Sequence, residues 1–166
     1  HSFPTRPSSD LFDSIERLAR AWGERVLVGA GTVLDPADAD RVADVGGRLV
    51  LAPNFDAAVV RQSKARGLLS VPGVATPSEG FAALAAGADA LKLFPAEMLG
   101  PPVLKAWRAV FPPGTAMLPV GGVGTHNLAA FRAAGAVGAG IGSSLYAPGV
   151  ALDELERRAL ALVQAW

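Results

Sequence analysis

The chain has 166 residues, of which 51% are hydrophobic, and its formal net charge at pH 7 is zero. This length suits one domain with a buried core, and the charge balance gives no reason to expect a nucleic acid or an anionic membrane surface as partner. The chain has no cysteine, no apolar run that could span a bilayer, and only His1 and His126 as imidazoles, so we expect neither a bound metal nor a cofactor.

The opening residues, HSFPTRPSSD, differ in character from the rest of the chain. With Leu11, they closely match the conceptual translation of a common sequencing adapter, which has arginine where Pro7 stands. We therefore expect residues 1–10 to be a non-native leader and residues 11–166 to form a single domain. The alternative is a genuine polar leader. Apolar spacing then predicts a helix over Leu11–Trp22.

Six short apolar runs, each ended by Gly or Pro, come after this helix. They are too short for buried helices and predict buried strands at 25–31, 48–53, 67–72, 90–94, 116–121 and 135–142. Helix signals separate them. Asp35-Pro36 places proline in a first turn, and Thr76-Pro-Ser-Glu79 has capping-box spacing. Further helices are expected after Thr125 and from about Ala151.

Continuous apolar strands that alternate with helices indicate an α/β fold with a parallel sheet. An open doubly wound sheet and a barrel compete. Glycine-rich ends at Gly121-Gly122 and Gly142-Ser143 favour a TIM (β/α)8 barrel, in which phosphate commonly binds after the last two strands. Six predicted strands fall short of eight, so the sequence predicts a (β/α)8 barrel that lacks about its first two strands.

Lys92 lies within the apolar run Ala90–Phe94. Strand alternation places Lys92 and Phe94 on one face and the flanking leucines on the other, so Lys92 is expected to point into the barrel. Burial lowers the pKa of a lysine and prepares it for attack on a carbonyl, which gives a Schiff base. A lysine that extends to solvent from a strand end is, on these grounds alone, an equal alternative.

A set of motifs in fixed order resembles the class I aldolases that cleave 2-keto-3-deoxy-6-phosphosugar acids, the KDPG/KHG aldolase family. The similarity runs from about Phe12 to the C-terminus. The motifs are GAGTVLDP (29–36), LAPNFD (51–56), VPGVATPSE (71–79), ALKLFPAE (90–97), PVGGV (119–123) and GIGSSLY (140–146).

The resemblance implies a role for each candidate site residue. Lys92 corresponds to the Schiff-base lysine and Thr32 to a residue that binds the substrate carboxylate. Phe94 shares the face of Lys92 and is expected to form a wall of the pyruvate pocket, with a pure packing role as the alternative. The phosphate site maps onto four residues, Gly121, Gly122, Gly142 and Ser143. Exposed backbone N–H groups explain why such loops bind phosphate.

Two branches of this family differ in the sugar epimer that they cleave. Val120 before the glycine pair and Ala52-Pro53-Asn54 are typical of the galactonate branch. The FPAE form of the lysine motif is more frequent in the gluconate branch, which stays as an alternative. The implied partners are a phosphosugar acid and pyruvate, and the implied protein is a cytoplasmic homotrimer.

The resemblance also implies a general base, a glutamate on the second strand of the barrel, and an anion-binding arginine on the first. Neither strand is found in this sequence, and Glu16 and Arg17 fall in a helix. A sugar-phosphate-binding fragment with little turnover is therefore a second hypothesis. Another phosphate-binding barrel, an isomerase or synthase without the lysine, is a third.

Overall fold

The computed structural model describes residues 8–166, which group into two compact units. One unit contains the described residues up to Gly73 together with Ala82–Asp89, and the other contains Val74–Phe81 and Ala90–Trp166. Residues 1–7 of the predicted leader lie outside the described residues. The elements are α1 (Ser8–Trp22), β1 (Gly29–Ala30), α2 (Pro36–Asp44), β2 (Leu49–Leu51), α3 (Ala57–Ala65), β3 (Leu69–Val71), β4 (Gly73–Val74), α4 (Pro77–Ala85), β5 (Leu91–Leu93), α5 (Ala96–Arg108), β6 (Met117–Pro119), α6 (Leu128–Ala133) and α7 (Leu152–Ala165).

The first unit contains a parallel sheet in the order β1-β2-β3. Strands β1 and β2 are each followed by a helix, and these helices, α2 and α3, pack on each other. The amphipathic helix α1 contributes Phe12 and Ile15 to a core that also contains Val42, Val50 and Leu68. This arrangement confirms the predicted α/β class with parallel strands.

The second unit contains β5, β6 and Val74 of β4, from the sheet ordered β4-β5-β6. Strands β5 and β6 are parallel, with Lys92 opposite Leu118. Leu91 and Leu93, which flank the lysine, are fully buried. A Cβ added at Gly80 of α4 would lie 3.2 Å from Cδ1 of Leu91, which shows that this leucine packs beneath the helix. The alternation predicted for this strand is therefore present.

The helix starts follow the cap residues that the sequence predicted. Asp35 accepts a hydrogen bond from Ala37 N at 2.9 Å, and Pro36 begins α2. Thr76 and Glu79 form the reciprocal capping box: Thr76 Oγ1 accepts from Glu79 N at 3.3 Å, and Glu79 Oε2 accepts from Thr76 N at 2.9 Å. The Glu79 carboxylate also accepts a hydrogen bond from Ala75 N. Its hydrogen bonds lower the pKa of Glu79, and the bond from Ala75 N has the largest effect.

The predicted strand over 135–142 is wrong. Only Gly140 forms a bridge, parallel to Val120. The segment does run beside β6, because Val137 N donates to Met117 O at 3.2 Å and Gly140 N donates to Pro119 O at 2.9 Å. Val137 and Gly140 are three residues apart, whereas their partners Met117 and Pro119 are two residues apart. The segment therefore has one extra residue, which interrupts the strand pairing as a β-bulge does.

One helix boundary and one strand boundary also differ from expectation. Helix α6 begins after Asn127 rather than at Thr125. The first strand is shorter than predicted because Arg25 N and Val26 N both donate to Trp22 O, at 2.8 and 3.0 Å, and close a turn. Across residues 8–166, none of the helices combines the length and apolar character needed to cross a bilayer.

Candidate active site

Lys92 is a buried lysine without a counter-ion. It lies at the centre of β5, its residue is 9% exposed, and burial lowers its pKa from the ordinary value of 10.5. No carboxylate in the described part of the chain pairs with it. Within residues 8–166, every side-chain nitrogen or oxygen that is fully shielded from solvent has a hydrogen-bond partner. Nζ of Lys92 has no hydrogen-bond partner, so it is partly accessible to solvent. An amine with these properties can reach a ketone and attack it.

The ring of Phe94 covers one side of this amine. Lys92 Nζ lies over the ring, 4.3 Å from its centroid, a cation–π contact. The following peptide bond, Phe94–Pro95, is cis. The same ring contacts the glycine pair, because a Cβ at Gly121 would lie 3.4 Å from Cδ2 and Cε2 of Phe94. Lys92, Phe94 and Gly121 therefore form a continuous surface.

Both glycines of the pair have positive φ, 95° at Gly121 and 66° at Gly122, a region that favours glycine. Glycine is also required at residue 122 for a steric reason, since a Cβ there would lie 2.6 Å from both Cβ and Oε2 of Glu97. The exposed Glu97 side chain thus rests against this loop. At residue 122 no other amino acid fits without a shift of backbone or neighbour.

The loop turns its carbonyl oxygens toward protein donors. Gly121 O accepts from Glu97 N at 3.1 Å, Gly122 O accepts from Asn127 Nδ2 at 2.9 Å, and Val123 O accepts from Ser144 Oγ at 2.7 Å. The N–H groups of Gly122 and Val123, by contrast, donate to no residue between 8 and 166. Two adjacent donors without a protein acceptor suit an oxyanion.

Ser144 joins a second loop to the first. The turn that begins at Gly142 is closed by bonds from Leu145 N and Tyr146 N to Gly142 O, at 2.9 and 3.0 Å. Ser143 is exposed, and within the described part of the chain neither its N–H nor its hydroxyl has a partner. Gly142 shows no steric need for glycine, because a Cβ there would meet nothing within 4 Å.

Val120 immediately precedes the glycine pair. Its N–H donates to Leu93 O at 3.0 Å, and its carbonyl accepts from Ala96 N at 2.8 Å. Its side chain packs on Gly140, where a Cβ would lie 2.5 Å from Val120 Cγ2. Val120 is thus fixed beside the strand that carries Lys92.

Thr32 belongs to the first unit and is exposed. Its φ of 62° makes it the one non-glycine residue with positive φ among the described residues. This conformation is costly for a β-branched side chain and is found where function requires a fixed geometry. Val33 N donates to Leu51 O at 3.1 Å and holds the next peptide in place.

Two residues at these loops have contacts that the sequence did not predict. Asn127 follows Thr125, where the helix start was expected, and no contact was predicted for its side chain. Of the two adjacent serines, only Ser143 was assigned to the predicted phosphate site. An Asn three residues after a glycine-rich turn is the signal that indicates such a side-chain bond to the backbone. In residues 8–166, no group of three or more His, Asp or Glu is arranged to hold a metal ion.

A buried lysine with a lowered pKa, next to a glycine loop with free N–H groups, agrees with what the comparison of sequences finds. Residues 5–158 match the family described as KDPG and KHG aldolase, and the chain belongs to that family.

Individual relatives are more specific. The chain is 46% identical over 159 residues to the "Probable 2-dehydro-3-deoxy-6-phosphogalactonate aldolase" of Rhizobium meliloti (strain 1021), covering 96% of this chain and 75% of that protein. It is 43% identical over 153 residues to the 2-dehydro-3-deoxy-6-phosphogalactonate aldolase of Escherichia coli (strain K12), covering 92% of this chain and 75% of that protein. A solved structure described as "Native KDPGal structure" superposes with a TM-score of 0.90 at 43% identity, covering 92% of this chain and 74% of that one.

Proposed function

We propose that this protein is a class I aldolase that cleaves 2-dehydro-3-deoxy-6-phospho-D-galactonate to pyruvate and D-glyceraldehyde 3-phosphate. The observation that carries the proposal is Lys92, an unpaired lysine that is 9% exposed, has a lowered pKa and retains a solvent-accessible Nζ. Relatives at 46% and 43% identity with this activity in their names support the choice of substrate.

The chemistry follows from the amine. Neutral Lys92 Nζ attacks the C2 ketone, and loss of water gives an iminium. A general base takes the proton of the C4 hydroxyl, the C3–C4 bond breaks, and its electron pair moves into the iminium to form an enamine. Glyceraldehyde 3-phosphate leaves. Protonation at C3 and hydrolysis of the iminium then release pyruvate and restore the lysine.

The loops beside Lys92 supply the phosphate site in this proposal. The free N–H groups of Gly122, Val123 and Ser143, with the Ser143 hydroxyl, are donors for the phosphate oxygens. Gly121 and Gly142 let the backbone approach the phosphate, and Phe94 forms one wall of the pyruvate pocket. In the first unit, Thr32 binds the substrate carboxylate, and its fixed φ of 62° is the feature that supports a binding role.

We further propose that the fold is a (β/α)8 barrel without about its first two strands, formed by a single domain over residues 11–166. The parallel sheets, with helices after their strands, support this proposal. We also propose that the enzyme acts as a cytoplasmic homotrimer. A second candidate function is a sugar-phosphate-binding fragment that forms the Schiff base but turns over little, since no carboxylate in residues 8–166 shifts the pKa of Lys92 as a neighbouring general base would.

Borohydride trapping tests the assignment. The protein is incubated with pyruvate and sodium borohydride, and intact mass and peptide mapping locate the adduct. We expect one reduced pyruvate adduct on Lys92. The matched variant Lys92→Arg keeps the charge and gives no adduct. A folded wild-type protein without an adduct would contradict the Schiff-base proposal.

A cleavage assay separates the two candidates. Release of glyceraldehyde 3-phosphate from the galactonate-derived substrate is measured beside trapping on the same sample. Trapping together with cleavage supports the aldolase. Trapping with no detectable cleavage supports the fragment with little turnover. Preference for the gluconate-derived epimer would overturn the substrate assignment but leave the reaction class intact.

A further inference from the structure

The segment Gly121–Gly124 has every carbonyl oxygen bound by a protein donor. Gly121 O, Gly122 O and Val123 O accept from Glu97 N, Asn127 Nδ2 and Ser144 Oγ, and Gly124 O accepts from Asn127 N and Leu128 N, at 3.1 and 3.0 Å. A peptide group is planar and trans, so a fixed C=O aims the next N–H in the opposite direction. The bonds that hold these carbonyls therefore decide where the free N–H groups point.

Asn127 holds two peptide groups of this segment. Its Nδ2 donates to Gly122 O at 2.9 Å and thereby fixes the direction of Val123 N–H. Its Oδ1 accepts from Gly124 N at 3.0 Å. Both ends of one amide are in use, so neither a carboxylate nor an apolar side chain reproduces the pattern.

Ser144 holds the remaining end of the Val123–Gly124 peptide. Its hydroxyl donates to Val123 O at 2.7 Å, while Asn127 holds the N–H of the same peptide. A Cβ at Gly124 would lie 3.5 Å from Ser144 Cβ, which shows that the two loops are in contact. The peptide is thus bound from both sides.

Such bonds matter because glycine leaves the backbone free to rotate. Gly121 and Gly122 both have positive φ, and peptides next to glycine reorient at little steric cost. A reoriented Gly122–Val123 peptide would present a carbonyl oxygen, which repels a phosphate, where the N–H now lies. Glycine permits the loop conformation but does not select it.

We propose that Asn127 and Ser144 are positioning residues that hold the Gly121–Gly124 backbone in the orientation that binds the phosphate of the substrate. They act through the backbone and do not themselves contact the substrate. This inference rests on the proposed function, from which the phosphate ligand is taken.

Three variants separate positioning from a purely structural role. Asn127→Asp keeps an oxygen for Gly124 N but replaces the donor to Gly122 O. Ser144→Ala removes the donor to Val123 O, and Ser144→Thr keeps a hydroxyl at an exposed residue. Controls lie in the first unit: Asp56→Ala removes the cap of α3, and Ser63→Ala removes a hydroxyl bond to Val59 O at 2.8 Å.

The readout is the dissociation constant of inorganic phosphate by calorimetry, which needs no turnover. In high salt, where the carboxylate added by Asn127→Asp is screened, we expect a roughly tenfold weaker constant for that variant, the effect of misdirecting the Val123 N–H. Ser144→Ala should weaken binding less, because the peptide that Ser144 holds carries no free N–H. Ser144→Thr should bind within about twofold of wild type. The two controls should lower the melting temperature without changing phosphate affinity.

Borohydride trapping of pyruvate on the same variants is the second readout, because pyruvate carries no phosphate. We expect unchanged trapping in Asn127→Asp and Ser144→Ala. Equal loss of trapping and of phosphate affinity, or unchanged phosphate affinity, would overturn the positioning role. Wild type that binds phosphate but gives no pyruvate adduct would instead overturn the proposed function, so the two failures are distinguishable.

Discussion

The ammonium of Lys92 lies over the ring of Phe94, with Nζ 4.3 Å from the ring centroid. Two opposing effects therefore act on one amine. Burial disfavours its charged form and lowers its pKa, while the negative face of the ring favours the charged form. The pKa of Lys92 is lowered by burial, so the amine loses its proton more readily than a surface lysine.

Phe94→Leu should lower the pKa of Lys92 further. Leucine keeps the site apolar but removes the attraction between ring and ammonium. The pH profile of pyruvate trapping by borohydride should then shift to lower pH, because the neutral amine is the nucleophile. Phe81→Leu is the matched control: it removes a ring that stacks on Phe111 at 4.4 Å, with no lysine involved. A shift to higher pH in Phe94→Leu would contradict this account.

Lys92→Met should stabilise the fold while it abolishes trapping. Burial disfavours the charged form of the wild-type lysine, which costs free energy, and methionine fills the space without charge. We expect the melting temperature to rise by about 2–4 °C, as ~1 kcal/mol produces in a protein of this size.

The stability difference between Lys92→Met and wild type should shrink at alkaline pH. Since the folded-state pKa is below the unfolded value, the unfolded chain binds more protons between the two, and wild-type stability rises with pH in that window. Thermal unfolding at pH 7 and near pH 10 measures the difference. A constant difference would show that burial of the charge is not its cause.

Gly122→Ala should destabilise the protein and weaken phosphate binding. Alanine is strained at a φ of 66° and places its Cβ 2.6 Å from Glu97 Cβ and Oε2. We expect a loss of about 2–4 kcal/mol in urea unfolding. Gly114→Ala is the matched control, because its φ is 87° but a Cβ there meets nothing within 4 Å. It should cost only about 1–2 kcal/mol and leave phosphate affinity unchanged. Equal effects at both positions would contradict the steric part of the argument.

Glu97→Gln should improve the binding of phosphate-bearing ligands. The Glu97 carboxylate rests against Gly122, next to two N–H groups that are free of protein acceptors in the described chain. Removing an exposed negative charge there should tighten the dissociation constant of inorganic phosphate by about two- to fivefold at low salt. The gain should disappear in high salt, where exposed charges are screened. Weaker binding in this variant would indicate that Glu97 helps to hold the loop.

The sequence predicted what local rules determine. Asp35-Pro36 was identified as a helix start and Thr76–Glu79 as a capping box because both signals depend on a few adjacent residues. Alternation placed Lys92 and Phe94 on one face of a strand. The prediction of a strand at 135–142 was wrong because of a bulge against β6. A bulge depends on the register with another segment, and local composition does not determine that register. Asn127 and Ser144 were missed for the same reason, since their importance comes from which carbonyls the fold brings within reach.

Val120→Thr should shift the epimer preference toward the gluconate-derived substrate. The two substrates differ in configuration at C4, and threonine has nearly the shape of valine, so its packing on Gly140 should be retained while a hydroxyl is added beside the glycine pair. We expect the ratio of kcat/KM values, gluconate-derived over galactonate-derived, to rise about tenfold, because one hydrogen-bonding group discriminates on this scale. The control Val137→Thr adds the same hydroxyl at an exposed residue and should leave the ratio unchanged. An unchanged ratio in Val120→Thr would show that the epimer is selected elsewhere, and the galactonate-derived substrate would then rest on the relatives' names and on Ala52-Pro53-Asn54.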